Sequence, residues 1–213
     1  MLDLKSLIET LAARRPLFHS EKDFQHAFAW ELHLGFPEAL IRLERPVESK
    51  LGLLHIDVVA ELSGQIHAFE LKYKTRATAK RLGSELFVLQ DHGAQPLGRY
   101  DFLKDVARLE SLAEESPVVG CAVLLTNDSA YWSEPRGVDD TSAAFNLCEG
   151  RMISGHLDWS VRASPGTKRK REEPLDFNSQ YRLNWHDYSQ IDAKSYPRFR
   201  YLAVEVVAPA APA

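Results

Sequence analysis

Apolar residues recur at helical spacing at Leu4, Leu7, Ile8 and Leu11, and the pattern stops at Arg14-Arg15-Pro16, where proline disfavours helix in the residue before it. Ser20-Glu21-Lys22-Asp23 has the serine-then-acid spacing of a capping box, and Phe24, Phe28 and Leu32 form an apolar stripe behind it until Gly35. Two helices are therefore expected first. From Ala39 to Val47 the chain alternates as a strand does, with Pro46 marking an end or an edge. Residues His55 to Leu62 and Gln65 to Tyr73 are β-rich runs joined by Ser63-Gly64, a two-residue hairpin connection. The stretch from Thr75 to Gly98 shows no clear period, although Ser84 to Gln90 fits a short helix or strand. Tyr100 to Ala113 has a helical period through Phe102, Leu103, Val106, Leu109 and Leu112, and Pro117 to Thr126 is continuously apolar, as a strand buried on both faces is.

This order predicts an α/β fold, a sandwich in which a mixed central sheet is flanked by helices on both sides. Beyond Tyr131 the pattern is less regular. Strands are expected at Tyr181 to Trp185 and Phe199 to Val207, a flexible loop at Ser164 to Pro174, and a disordered Ala-Pro tail at Ala208 to Ala213.

A chain of 213 residues with 45% hydrophobic content can bury one substantial core, so a single domain spanning 1–213 is expected. No apolar run approaches the ~18 residues that a bilayer crossing needs, and the first residues carry Asp3, Lys5 and Glu9, unlike a signal peptide. A soluble, cytoplasmic protein without a membrane partner is the expectation. Cys121 and Cys148 are too far apart for a C-x-x-C pair, which argues against a zinc knuckle. The net charge of −4 offers nucleic acid no global attraction, so such a partner would need a local basic patch or bound cations.

The candidate chemistry follows from hairpin register. With Ser63-Gly64 as the turn, Leu62 faces Gln65 and Asp57 falls opposite Glu70. Side chains alternate along a strand, so Glu70 and Lys72 share the face of Asp57, while Ile56, Val58, Phe69, Leu71 and Tyr73 point to the core. Directly opposed carboxylates have Cβ atoms about 4.5–5.5 Å apart and repel unless a proton or cation lies between them. Mg²⁺, or Mn²⁺ in its place, takes such oxygen ligands together with phosphate and water. Lys72 would then orient or help deprotonate a water, or stabilise charge developing on phosphorus. At 100° per residue, Glu21, Gln25, Phe28 and Leu32 form one stripe, so Glu21 projects inward and needs a metal or Lys72 as partner. Gln25 is a secondary candidate for holding water or phosphate. Glu31 lies at the stripe's flank and Asp23 faces away.

An acid on the first core helix, then Asp, then Glu-x-Lys resembles the PD-(D/E)XK nuclease superfamily; the residues here are Glu21, Asp57 and Glu70-Leu71-Lys72. The resemblance covers about residues 18–126 and implies a restriction-endonuclease-like core, with 127–207 as a C-terminal extension. It also implies Glu21, Asp57 and Glu70 as ligands of Mg²⁺, Lys72 as a catalytic lysine, and hydrolysis of phosphodiester bonds in nucleic acid, DNA in the first instance. Ile56 stands where the name-giving proline would be. Lys74, Arg76, Lys80 and Arg81 leave the active strand where a nucleic-acid backbone needs neutralising. His55 is expected on the catalytic face opposite Lys72, Asp101 at the start of a helix where it complements the dipole, and Trp132, Trp159 and Trp185 in packing. The alternative is a catalytically silent module on the same fold, binding nucleic acid or a protein partner, in a defence system for example, or pairing with a second copy.

Overall fold

The computed structural model describes residues 2–135 and 141–207, and the expected tail at 208–213 lies outside them. Helices α1 (Leu4–Arg14) and α2 (Glu21–Gly35) come first. Ser20 caps α2 by accepting the Asp23 N–H at 3.2 Å, and Asp23 in turn accepts the His19 N–H at 2.9 Å and, through both carboxylate oxygens, Arg15 Nη2 at 2.8–3.0 Å. The capping signal read from Ser20 thus also fixes the corner between the two helices.

Strands β1 (Leu40–Ser49), β2 (Gly52–Leu62) and β3 (Gln65–Lys74) follow as a meander, with Ser63 and Gly64 at φ of 49° and 81°, the left-handed pair that a type I′ hairpin turn requires. A small hairpin, β4 (Thr78–Leu82) and β5 (Glu85–Leu89), occupies part of the stretch that showed no period. Helix α3 (Gln95–Glu115) then crosses over to β6 (Val118–Thr126), which lies parallel to β3. The sheet is completed from the C-terminal third by β10 (Arg198–Val206) and β9 (Trp185–Gln190), giving the order β1-β2-β3-β6-β10-β9. Every neighbouring pair except β3-β6 is antiparallel. This is a mixed α/β architecture with layers on both faces of one sheet. Among the described residues no helix is long and apolar enough to cross a membrane.

Two apolar cores result. One lies between the sheet and α1, α2 and the β4-β5 hairpin, around Phe18, Phe24, Phe28, Phe69, Leu71 and Phe199. The other lies under α3 and the irregular region that follows β6, including the hairpin of β7 (Met152–Leu157) and β8 (Leu175–Arg182), around Phe102, Leu109, Leu124, Phe145 and Leu202. Trp159 and Trp185 are buried in this second core, in keeping with a packing role, and Trp132 stands 5.6 Å from Trp185.

Four expectations need correction. Helix α3 begins at Gln95 and Pro96, so Asp101 lies nearly two turns inside it and binds Arg171 through two contacts of 2.6 Å. That contact, with the Trp159 Nε1–H donated to the Arg171 carbonyl at 2.7 Å, ties the end of the expected flexible loop to α3. The single strand expected at Tyr181 to Trp185 straddles the break between β8 and β9. Ile56 does not share a core with Val58: it packs with Leu54 under α3, whereas Val58, Ala60 and Leu62 face α1 and α2. The cause is a bend in the β1-β2 hairpin. Glu44 takes φ 50°, the pairing skips Glu44 and Asp57, and the tip curls over α3, where Lys50 Nζ lies 2.6 Å from Glu114.

Gly120 sets how closely α3 approaches β6. A Cβ there would meet Leu109 Cβ at 2.9 Å and Val206 Cβ at 3.3 Å, on both sides of which the core is closed. Gly120→Ala is expected to destabilise the protein by about 1–3 kcal/mol in chemical denaturation. An unchanged midpoint would show that the layer has slack.

Candidate active site

Past a certain point β3 loses its antiparallel partner. The β2-β3 ladder runs from Leu62↔Gln65 to Val58↔Phe69 in the expected register and stops one residue short of Asp57 and Glu70, because β2 bends away there. The other edge of β3 stays bonded to β6 as far as Lys74↔Thr126. On the open edge, alternate N–H groups find side chains instead. Leu71 N donates to Asp57 Oδ2 at 2.8 Å, Tyr73 N to Glu21 Oε2 at 2.9 Å, and Thr75 N to His92 Nδ1 at 3.0 Å. An unmatched buried N–H costs about 1–3 kcal/mol, so each of these side chains replaces a strand contact that the fold cannot do without.

The α3 face of the same region carries a second arrangement. Lys72 Nζ is 2.8 Å from Asp105 Oδ2 and 3.9 Å from Asp57 Oδ2. Arg108 Nη1 is 3.1 Å from Asp105 Oδ1 and 3.2 Å from Glu70 Oε1, while its Nη2 donates to the His55 carbonyl at 3.2 Å. Three carboxylates and two cations therefore alternate in one chain: Asp57, Lys72, Asp105, Arg108, Glu70. Glu70 and Asp105 are buried, and Asp57 and Lys72 are partly exposed.

Burial dominates the titration of this cluster. Loss of solvent, reinforced by the Asp105 charge and only partly offset by Arg108, pushes the Glu70 carboxyl up to about 9. Asp105 is raised for the same reason, against the pull of Lys72. Burial alone would lower the Lys72 ammonium, but Asp105 and Asp57 overcome it and hold the lysine above its ordinary value. Lys72 is thus a firm cation at neutral pH.

Comparison with family models, with curated proteins and with solved structures finds no match for this chain. The site stands on its geometry alone. Asp57, Glu70 and Lys72 come together at the mouth of the β2-β3 gap, joined by Asp105 and Arg108 from α3. Glu21 reaches the same strand edge from α2, but its carboxylate is held by Tyr73 N–H and by Lys74 Nζ at 3.2 Å rather than by Lys72. Gln25 is half-buried one turn after it. Glu31, ranked below Glu21, is buried and lies 3.6 Å from Arg14. His55 is exposed, and only its backbone reaches the cluster, through Arg108.

The basic stretch is paired within the protein: Arg76 with Asp91 at 3.3 Å, Lys80 with Asp192 at 3.0 Å, and Arg81 with the Ser84 carbonyl at 2.8 Å. Pairs this exposed contribute about 0–1 kcal/mol, so a phosphate can compete for them. Sequence reasoning missed Asp105 and Arg108, although the signal was present: Asp105 sits within the apolar stripe of Phe102, Val106 and Leu109, where an unpaired acid would be costly.

The donor chemistry fits a hard divalent cation. Asp57, Glu70 and Asp105 offer oxygen only, and the buried Glu70 Oε1 has no hydrogen-bond donor, Arg108 touching it without hydrogen-bond alignment. As arranged, no three His, Cys, Asp or Glu side chains among the described residues converge on a single metal position.

A raised Glu70 gives a definite pH dependence. Between its ordinary 4.5 and about 9 the folded protein retains a proton that the unfolded chain has released, so the contribution is most favourable at low pH and is lost as pH rises through the folded value. Glu70→Gln removes it. With chelator present, the variant is expected to gain thermal stability over wild type at about pH 8.5 and little at about pH 5. Parallel curves for the two proteins would contradict the burial of an acid at Glu70.

Proposed function

We propose that the protein is a Mg²⁺- or Mn²⁺-dependent phosphodiesterase acting on nucleic acid, DNA in the first instance, with a site of the PD-(D/E)XK type. The observation that carries this reading is the meeting of Asp57, Glu70 and Lys72 where β2 and β3 part, with a carboxylate oxygen of Glu70 buried beside cationic groups and lacking a hydrogen-bond donor. Carboxylates of this kind, opposite a lysine in a solvent-accessible gap, match what phosphoryl transfer needs: a place for a cation and a fixed positive charge near the phosphorus.

In this reading Asp57 and Glu70 hold the divalent ion, which supplies charge neutralisation and an activated water when bound. The remaining work falls to the protein. Lys72, kept as an ammonium by Asp105 and Asp57, stabilises negative charge developing on the phosphate; as a firm cation it is not the base. Glu21 fixes the β3 edge through the Tyr73 N–H and so holds Lys72 in place on the neighbouring residue. Lys74, Arg76, Lys80 and Arg81 offer their weakly paired charges to the nucleic-acid backbone.

A second reading, a catalytically silent module that binds nucleic acid or a protein partner, draws on one feature. Lys72 and Arg108 already neutralise most of the acidic charge around them, as they would in a site retained for structure.

Cleavage of supercoiled, linear duplex and single-stranded DNA with and without Mg²⁺ separates the two. The nuclease reading expects metal-dependent cleavage by wild type and a loss of about 10²–10³ in kcat for Lys72→Ala with metal binding retained. Absence of both cleavage and metal binding across the panel would overturn it.

A further inference from the structure

We propose that Asp105 is a third carboxylate ligand for a divalent cation together with Asp57 and Glu70, and that the Arg108 guanidinium is a resident counter-cation which that ion displaces. This rests on the metal-dependent reading above and goes beyond the Glu21, Asp57, Glu70 set that the sequence pattern implies.

The argument begins with one atom. Arg108 Nη1 lies 3.1 Å from Asp105 Oδ1 and 3.2 Å from Glu70 Oε1, so two carboxylates on different elements are aimed at a single positive position. Neither acid is exposed: Glu70 is 2% and Asp105 5% accessible. Their oxygens are unevenly served. Asp105 Oδ2 is held by Lys72 at 2.8 Å, whereas Glu70 Oε1 has no aligned hydrogen-bond donor, Arg108 standing beside it as an ion pair. A buried carboxylate oxygen without a donor is an acceptor open to a cation that can approach more closely than a guanidinium does. Mg²⁺ bonds oxygen at about 2.1 Å, which draws the same groups inward by about 1 Å each.

Charge is compatible with the exchange. A divalent ion in place of Arg108 lets all three carboxylates ionise against Lys72 with the charges in balance. Glu21 cannot serve as the third ligand in this arrangement, because its carboxylate is held on the α2 side by Tyr73 N–H and Lys74.

Beyond its pairs with Asp105 and Glu70, Arg108 is weakly anchored. Its Nε is buried without a hydrogen-bond partner, and its one hydrogen bond to backbone, the His55 carbonyl, is long at 3.2 Å. Outside it lies a groove of about 380 Å³ lined by Lys50, Lys104, Ser111 and Glu114, to which Arg108 itself contributes. A guanidinium moved into that groove stays beside the acids and faces solvent, where it can meet a substrate phosphate.

Calorimetric titration with Mn²⁺ tests the assignment without reference to cleavage. Arg108→Met, which removes the competitor, is expected to tighten Mn²⁺ binding by about tenfold or more, with the conservative Arg108→Lys in between. Asp105→Asn is expected to weaken it by about tenfold or more, and Glu21→Gln by less than about threefold. If Asp105→Asn does not fold, the two Arg108 variants carry the test. Binding that is unchanged or weaker in Arg108→Met, or unchanged in folded Asp105→Asn, would overturn this assignment and leave the cation reading of Asp57 and Glu70 standing. No Mn²⁺ binding by wild type or by Arg108→Met would overturn both.

Discussion

The structure turns on a backbone requirement. A strand in the middle of a sheet must satisfy N–H groups on both edges, and β3 has a strand on only one side once β2 bends away after Val58↔Phe69. Three side chains meet the need in sequence, Asp57 at Leu71, Glu21 at Tyr73 and His92 at Thr75. The consequence is architectural as well as chemical. Two carboxylates are drawn from separate elements to one strand edge, and the gap they border is open to solvent beside Lys72.

The bend that opens this gap also builds its far wall. As the β1-β2 hairpin curls over α3, Lys50 anchors its tip to Glu114 and the His55 carbonyl accepts from Arg108. Helix α3 is held against β6 by the absence of a side chain at Gly120, which brings Asp105 and Arg108 within contact of Glu70 and Lys72. A buried network of alternating charges is costly to break, since removing one partner leaves another uncompensated at about 3–5 kcal/mol. Such a network holds its members in place.

Much of this was legible in the sequence, for identifiable reasons. Helical spacing and the Ser20 capping signal located α1 and α2, and the Ser63-Gly64 turn set the register observed as far as Val58↔Phe69, one pair short of Asp57 and Glu70. Those signals are local and periodic. The bend at Glu44 and Asp57 is neither: a non-glycine residue at φ 50° leaves no mark in an alternating pattern, and so Ile56 was assigned to the wrong core and His55 to the wrong face. The partners of Lys72 and Glu70 come from α3, some 35 residues on in a helix whose start was read five residues late, and only the misplaced acid at Asp105 betrayed them. β7 and β9 to either side of short, polar turns were too brief for a period to emerge, and β10 alone among the C-terminal strands had a long apolar run to announce it.

The divalent-cation site proposed where β2 and β3 part lies between Asp57, Glu70 and the α3 acid Asp105. Anomalous diffraction from crystals grown with Mn²⁺ at saturating concentration tests it most directly. The account predicts one strong anomalous peak bonded by Asp57 and Glu70 at about 2.0–2.3 Å, with Arg108 withdrawn from Glu70. Crystals that show Arg108 still seated between Glu70 and Asp105, and no manganese in the gap, would contradict it.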